Sequence, residues 1–453
     1  MSCLDSLRPP EGSGPPPFAV PVSRRSLLAA GVAGAGLALL PSGARAKTSA
    51  RLAKSSMGAK ASLANGFMDF VSADPLPADG TVIVPLGSSG GPDAFKRFAT
   101  SIAIWVRGAV YVVDFGVGMS RQFRNAVALP FGGLRAGFVS HFHSDHIGDI
   151  YNFFTYNYYW LSKGVKLFGP PSAASNGGGG FAVPGLPDVP GAPVYGSNPT
   201  RGFIDFMHSW QEGPFAYDNN LRYRDEGMPN LFDNPSGVHL ELAEVPLPAG
   251  ASATNNAPSM DPVEVYEDDL VKVTAILVNH PPMFPVYAYR FDTPDGSIVL
   301  SGDTTECDNL IKLAKDADIL MHEAILVDYL EWLLGLGVPP ALIKHILRSH
   351  TADKSGAIAG ETRVGVGEVA NRANAKHLVL YHTVRSEYNV DGRVFQIPND
   401  VLARNAQAEF VGPVTVADDL VRIPVNPDCR KHPGRRARAA THERPRFAMP
   451  RSS

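Results

Sequence analysis

The six residues 141–146, with the sequence HFHSDH, constrain this chain more than any other feature. They place four potential metal ligands in six positions, directly after a short apolar run that is typical of a β-strand. Side chains at alternate positions of an extended segment point the same way, so His141 and His143 can reach one ion. Asp145 and His146 follow the bend and can turn to a second ion. A lone histidine is more often a core residue, but this density of ligands predicts a metal site.

The types of ligand favour particular metals. Imidazole and carboxylate without thiolate suit zinc, with iron or manganese as possible substitutes. The three cysteines, Cys3, Cys307 and Cys429, lie far apart in the chain and form no Cys-x-x-Cys pair. The sequence therefore predicts neither a thiolate metal site nor a disulfide framework.

Composition and pattern indicate a folded α/β protein. With 453 residues, 44% hydrophobic content and a net charge of -3, the chain can bury a substantial core and shows no general bias toward nucleic acid or membrane. Short β-type runs at 81–86, 101–107 and 109–114 predict an antiparallel meander, and a helical stretch follows at 120–129.

The N-terminal residues 1–46 resemble a bacterial twin-arginine export signal. Arg24 and Arg25 precede a weakly apolar run, and an A-x-A-like cleavage site follows at 44–46. The run is shorter than the roughly 20 residues that a membrane span needs, so we expect a periplasmic or secreted protein with no stable span after cleavage. Residues 47–80 are predicted to be an irregular lead-in, residues 81–425 the main folded domain, and residues 426–453 a disordered basic tail.

The H-x-H-x-D-H pattern resembles the signature of the metallo-β-lactamase fold superfamily. Residues 113–118 are similar to the early Asp-x-Gly-x-Gly turn of its ribonuclease Z and zinc-dependent arylsulfatase branch, and residues 168–170 are similar to the Gly-Pro loop of that branch. The resemblance spans residues 81–410. It implies an α/β fold of the αββα sandwich type, with two mixed β-sheets flanked by helices, and a possible homodimer.

The same resemblance implies the remaining metal ligands. His280 ends a β-branched run at 270–278, Asp303 lies in a Ser-Gly-Asp-Thr turn after a predicted strand, and His382 ends the run 377–382. A carboxylate between two cations offsets their repulsion, which makes Asp303 the expected bridge. The expected ligands of two Zn²⁺ per chain are His141, His143 and His280 on the first ion, and Asp145, His146 and His382 on the second.

Zinc supplies the nucleophile in this interpretation. It lowers the pKa of a bound water to about 7, so a metal-bound hydroxide is available for attack on an ester at neutral pH. Asp145 lies next to that hydroxide and is expected to hold its proton as well as bind metal.

Two further segments, 321–324 and 349–352, resemble the H-E-A-T and H-S-T motifs of ribonuclease Z. The resemblance implies that His350 is the general acid that protonates the leaving oxygen and that Glu323 orients it. The alternative is that His350 caps a helix expected at 352–359. The spacing from His350 to the last ligand is longer than in the family, so residues 356–367 look inserted.

The segment 171–235 bears on the substrate. Ribonuclease Z would carry a basic arm there, but this segment is aromatic and mixed in charge. Together with the export signal, this predicts a small-molecule ester as substrate and no specific nucleic acid. The favoured function is hydrolysis of a phosphodiester or sulfate ester. The alternatives are a lactonase or β-lactamase-like hydrolase on the same metals, and a non-catalytic metal or ligand binder.

Overall fold

The structure is a computed structural model that describes most of the chain between residues 78 and 425. The described residues are 78–91, 97–127, 133–157, 164–172, 202–211, 232, 239–335, 337–384, 389–390, 393–394 and 398–425. All of them belong to one compact unit, Ser72–Ser453. The predicted signal, almost all of the lead-in, most of the segment 171–235 and the basic tail lie outside the described residues, so those assignments stay predictions. No described helix has both the length and the apolar character to cross a membrane.

Strands dominate the described part of the chain. They are β1 (Thr81–Gly87), β2 (Ser101–Val106), β3 (Ala109–Val113), β4 (Leu134–Phe138), β5 (Val165–Gly169), β6 (Leu240–Glu244), β7 (Val263–Glu267), β8 (Lys272–Leu277), β9 (Tyr287–Thr293), β10 (Gly296–Leu300), β11 (Ile319–Ile325), β12 (Gly356–Ile358), β13 (Glu361–Arg363), β14 (Leu378–Val384), β15 (Asn389–Val390), β16 (Arg393–Val394), β17 (Val414–Val416) and β18 (Ile423–Pro424). One mixed sheet has the order β18-β1-β2-β3-β4-β5-β6, and the other has the order β17-β14-β11-β10-β9-β8-β7. Two small hairpins, β12-β13 and β15-β16, lie apart from these sheets.

Short helices connect the strands. They are α1 (Met119–Ala126), α2 (Ser144–Ile147), α3 (Ile150–Asn157), α4 (Phe203–His208), α5 (Asp308–Leu313), α6 (Val327–Gly335), α7 (Pro340–Ser349), α8 (Val366–Arg372) and α9 (Asn399–Gln407), with a 3₁₀ turn at Ser209–Gln211. Helix α7 begins with a proline at its first position, where the missing N–H costs nothing.

Apolar side chains on both faces of each sheet build the layers. On β2, Ile102 and Ile104 point into the core between the sheets, where they join Tyr289 of β9. The alternate residues Ala103 and Trp105 point outward and pack with side chains of α1, α3 and α4. Side chains of α5 to α9 cover the outer face of the other sheet. A strand that is buried on both faces needs such continuous apolar sequence. The predicted αββα sandwich of two mixed sheets flanked by helices is confirmed.

The predicted meander is also confirmed, since β1 pairs antiparallel with β2, and β2 with β3. One local prediction differs from the structure. The expected helix at 352–359 is absent from the described residues, and the β12-β13 hairpin begins at Gly356. Strand β11 continues to Ile325, because parallel pairing with β14 holds its last residues.

Asp268 links the two sheets at the end of β7. Its Oδ2 accepts hydrogen bonds from the Tyr111 hydroxyl at 2.7 Å, the Tyr266 hydroxyl at 2.9 Å and Arg135 at 2.9 Å. Burial opposes ionisation of this carboxyl, but the hydrogen bonds from Tyr111 and Arg135 outweigh it and lower its pKa to about 2. Because the folded pKa lies below the ordinary value of 3.8, the carboxylate stabilises the fold above that pH and this stability is lost as the pH falls toward 2.

We expect Asp268→Asn to lower the free energy of unfolding by about 1–3 kcal/mol at neutral pH, because an amide cannot satisfy all these donors. The difference from the parent protein should shrink as the pH falls below 4. Denaturant titration at several pH values measures it. Asp269→Asn is the matched control: Asp269 pairs with the same Arg135, but its side chain is 75% exposed, so this variant should change stability by less than about 0.5 kcal/mol. Equal losses in the two variants, or a loss that does not depend on pH, would contradict the role of Asp268.

Candidate metal centre

The residues predicted as ligands meet at one edge of the two sheets. Strands β10, β11 and β14 run parallel, so their carboxyl ends lie at the same edge. Asp303 follows β10, and His382 lies near the end of β14. On the other sheet, β4 ends just before His141. The backbone N–H of Tyr287 donates to the carbonyl of Ser140 at 3.1 Å, which joins the sheets at this point.

Three histidines and one aspartate form the first group. Their nitrogen and carboxylate atoms lie within 4.8 Å of one another. His143 Nδ1 is 2.9 Å from His141 Nε2 and 3.3 Å from His280 Nε2. Asp303 Oδ2 lies 3.8 Å from the His141 nitrogen and 3.7 Å from the His280 nitrogen. The structure therefore brings together the residues that the sequence assigns to a first ion.

Asp145, His146 and His382 form the second group. The Nε2 atoms of His146 and His382 are 3.2 Å apart, and Asp145 Oδ2 is 3.2 Å from His382 Nε2. The other oxygen of Asp303, Oδ1, is 3.4 Å from His146 Nε2 and 3.2 Å from His382 Nε2. Each oxygen of Asp303 thus faces a different group, which is the arrangement that a bridging carboxylate requires.

Outer hydrogen bonds decide which nitrogen of each ring faces the cluster. His146 Nδ1 donates to Asp114 at 2.8 Å, and His280 Nδ1 donates to the carbonyl of Ser349 at 2.7 Å. Asp114 also accepts hydrogen bonds from the backbone N–H and the hydroxyl of Ser140. In the neutral form of each ring the proton is on Nδ1, so Nε2 carries a lone pair that points into the cluster. Burial lowers the pKa of His146, but the carboxylates of Asp303 and Asp145 outweigh it and raise this pKa, and a metal ion would replace the proton on Nε2.

The geometry of β14 directs His382 into the site. Tyr381 pairs with Glu323 of β11 and Thr383 pairs with Ala324, so His382 is an extra residue without a partner on β11. Its φ of 45° lies in the left-handed region, which is uncommon for a residue other than glycine. A β-bulge of this kind turns a side chain away from the regular alternation. Local backbone strain is here part of the site.

A glycine loop after β1 packs against the second group. A Cβ atom at Gly90 would lie 2.3 Å from the His382 ring, and the Gly91 N–H donates to Asp145 Oδ2 at 2.9 Å. Arg97 anchors this loop, since its guanidinium donates to the Ser88 carbonyl at 3.0 Å and the Thr383 hydroxyl at 3.0 Å. The bulge and the loop are thus held together by one buried cation.

The donor set fits divalent metal. Ligands at 2.0–2.1 Å from a tetrahedral ion are about 3.3 Å apart, close to the separations within each group. Asp303 Oδ1 is buried and has no hydrogen-bond partner among the described residues, although it faces two imidazoles. Burial lowers the pKa of His141, His143 and His280, which keeps these rings neutral with lone pairs available to a metal. A zinc or similar divalent ion at each group would give these nitrogen and oxygen atoms a partner.

His350 and Glu323 lie beside the two groups. Both carboxylate oxygens of Glu323 are 3.0 Å from His350 Nδ1, and the Thr304 N–H donates to Glu323 at 2.9 Å, which stabilises the ionised carboxylate. The His350 ring lies 4.9 Å from the His280 ring and is stacked 6.2 Å from the His382 ring. Burial lowers the pKa of His350, but the charge of Glu323 outweighs it and raises this pKa to about 9. His350 follows the last residue of α7 and does not cap a helix start.

Several residues that shape the centre were not assigned a role from the sequence. Asp114 was noted only as part of a turn, and the Ser349 carbonyl and the Gly90 contact have no sequence signal at all. Asp114 lies at the end of a strand with a φ of 62°. An aspartate directly after an apolar strand is the signal that could have identified it.

Sequence relatives of this chain cover about three quarters of its length. No family model matches the chain. Ribonuclease Z of Mycolicibacterium gilvum (strain PYR-GCK) is 26% identical over 347 residues, which cover 76% of this chain and 96% of that protein. Ribonuclease Z of Mycobacterium bovis (strain BCG / Pasteur 1173P2) is 24% identical over 339 residues, which cover 73% and 93%.

Solved structures also match. The short form of human tRNase Z gives a TM-score of 0.46 at 17% identity and covers 76% of this chain and 99% of its own. A metallo-β-lactamase fold protein from Bacillus subtilis gives a TM-score of 0.45 at 16% identity and covers 76% of this chain and 100% of its own.

These relatives correct one prediction. The expectation that no specific nucleic acid is a partner is wrong, because the sequence relatives that span three quarters of this chain are named as ribonucleases. The segment 171–235, on which that expectation depended, lies mostly outside the described residues. The chain has an αββα sandwich of two mixed sheets and is similar in sequence to ribonuclease Z over about three quarters of its length.

Proposed function

We propose that this protein is a metal-dependent phosphodiesterase of the ribonuclease Z type, with RNA as its substrate class. One observation carries the proposal: a carboxylate-paired imidazole, His350, lies against a cluster of metal-ligand side chains. A phosphodiester needs both a site for its charged oxygens and a proton for its leaving alkoxide, and this arrangement supplies the two side by side. The similarity to ribonuclease Z supports the same class. No feature of the described residues favours a sulfate ester.

We further propose two divalent ions, with zinc preferred, on the two groups described above and Asp303 between them. Bound ions of this kind polarise phosphoryl oxygens and make water a nucleophile near neutral pH. Side chains of the protein would orient the attacking water. Asp145, held by the Gly91 N–H and the His382 ring, presents a carboxylate oxygen at the second group, where it can hold a proton of the attacking water.

His350 and Glu323 handle the departing oxygen in this proposal. Because Glu323 occupies His350 Nδ1, the proton for the leaving alkoxide comes from Nε2. Against the effect of burial, the charge of Glu323 raises the pKa of His350 and keeps the ring protonated until transfer. Burial raises the pKa of Glu323 itself, and the Thr304 N–H opposes this by donating to the carboxylate. The competing possibility is that His350 is itself a metal ligand, since Asp303, His350 and His382 also lie within 4.8 Å of one another. Its pairing with Glu323 favours the proton donor.

We expect Gly90→Ala to lower the metal content of the purified protein, because the added Cβ would displace the His382 ring from the second group. Metal per chain, measured by mass spectrometry after dialysis against a weak chelator, tests this. Gly335→Ala is the control, since a Cβ there meets nothing within 4 Å. If Gly90→Ala keeps the full metal content with an unchanged melting temperature, His382 is not a metal ligand.

We expect His350→Ala to keep its metal and to lose about 100- to 10,000-fold in turnover of RNA, the range for loss of a general acid. The loss should be smaller for a bis-nitrophenyl phosphodiester, because nitrophenolate departs without a proton. Glu323→Gln should show the same substrate dependence. His345→Ala removes a histidine of α7, the helix that ends just before His350. It lies outside the groups of metal-ligand side chains and should leave both rates unchanged.

These measurements distinguish the possible roles of His350 and the possible substrate classes. A loss of metal in His350→Ala would make this residue a ligand and not a proton donor. Equal losses for the two substrates would contradict the general-acid role. Hydrolysis of a nitrophenyl sulfate or a lactone at rates above those for both phosphodiesters would overturn the proposed substrate class.

A further inference from the structure

Three cations surround one carboxylate on the surface formed by α7 and the β12-β13 hairpin. The side-chain nitrogens of Lys344 and Arg348 lie 3.8 Å and 3.3 Å from Glu361 Oε1, and Arg363 pairs with Oε2. Among the described residues, Glu361 is the one carboxylate that forms an ion pair with any of the three. Three positive charges against one negative charge leave this basic face with two unbalanced positive charges.

The basic face adjoins the candidate metal centre. Helix α7 ends at Ser349, whose carbonyl holds His280, and His350 follows directly. Lys344 and Arg348 are four residues apart and therefore share one side of the helix. At a rise of 1.5 Å per residue, Lys344 and Arg348 of the basic face lie within about 10 Å of His350 along the helix axis.

Exposure makes these cations available to a ligand. The side chains of Lys344, Arg348 and Arg363 are 37%, 53% and 23% exposed. Ion pairs at such exposure contribute little to the stability of a fold. The hairpin that supplies Arg363 and Glu361 lies in the segment 356–367 that looked inserted from sequence, and it has no part in holding metal.

We propose that this basic face binds backbone phosphates of a single RNA strand whose scissile bond lies at the metal centre. The inference rests on the proposed function and extends it to the way the polymer is held. The segment in which a basic arm was expected, 171–235, is aromatic and mixed in charge. A strand that leaves the centre along α7 meets positive charge within the distance of a few nucleotides, and each phosphate neutralised there releases counterions.

The test compares RNA affinity across salt concentrations. Zinc-loaded His350→Ala, which binds without rapid cleavage, serves as the parent, and a labelled single-stranded RNA is titrated by fluorescence anisotropy. Replacing Lys344, Arg348 and Arg363 by Gln should reduce the slope of log affinity against log salt by about 1.4, because the two unbalanced charges are lost and each contact to a single strand is worth about 0.7. At 0.1 M salt this corresponds to roughly 10- to 100-fold weaker binding.

A second triple variant controls for net charge. Lys272, Lys312 and Lys376 are also exposed, at 46%, 44% and 67%. Their carboxylate partners are Glu264, Asp261 and Asp318, none of which lies on α7 or the β12-β13 hairpin. Lys376 precedes β14, at the opposite end of that strand from His382. Replacing these three by Gln removes the same charge and should leave the slope unchanged. Equal slope changes in the two triple variants would overturn the proposal.

Glu361→Gln gives a prediction of opposite sign. Removing the carboxylate frees the three cations, so RNA should bind more tightly and with a steeper dependence on salt. If the ion pairs of Glu361 only tie the hairpin to α7, Glu361→Gln should instead lower the melting temperature and leave the salt dependence of RNA binding unchanged. That result would refute the inference. Turnover of a nitrophenyl phosphodiester, too small to reach α7, should be the same in all variants of the native His350 background. If the protein with native His350 does not hydrolyse the nitrophenyl phosphodiester, the proposed function is refuted. The binding test would still show whether the basic face binds RNA.

Discussion

The structure depends on holding ionisable and lone-pair atoms close together in a buried place. Five imidazoles and two carboxylates converge, with neighbouring atoms 2.9 to 3.8 Å apart, and Asp303 faces both groups. Without a partner such atoms destabilise a fold, because burial removes the water that would satisfy them. The rest of the local architecture restrains them. Asp114 and the Ser349 carbonyl orient two rings from behind, and the bulge of β14 turns a third into the site.

The sandwich explains how so many elements can reach one place. The inner faces of the two sheets form a continuous apolar core that fixes their relation, and the ligands lie on the connections that leave that core. The Tyr287 N–H joins the carbonyl of Ser140 across the sheets beside the cluster. Rigid strands therefore position side chains that loops alone could not hold with this accuracy.

The proposed chemistry is divided between two sets of side chains. The two groups of metal ligands would hold the ions that activate water and neutralise phosphate. His350, which directly follows α7, and Glu323 of β11 would deliver a proton to the leaving oxygen. Helix α7 connects this chemistry to the surface, since the residues before His350 carry the basic face. A hairpin that the sequence marks only as an insertion contributes two of the four charges there, Glu361 and Arg363.

Local signals in the sequence, period-2 apolar runs and a dense ligand motif, predicted the meander and the ligands at 141–146. The αββα sandwich and the more distant His280, Asp303 and His382 were expected only from the resemblance to a known fold superfamily. The sequence did not determine that β11 reaches Ile325, that residues 356–363 form a hairpin, or that His382 occupies a bulge. Those features depend on pairing between strands that are distant in the chain. The exclusion of nucleic acid was wrong because it depended on the composition of one segment, whereas relatives that span three quarters of the chain are named as ribonucleases. Only the tertiary structure brings Lys344, Arg348 and Arg363 together, because their shared surface is formed by a helix and a hairpin that the chain folds against each other.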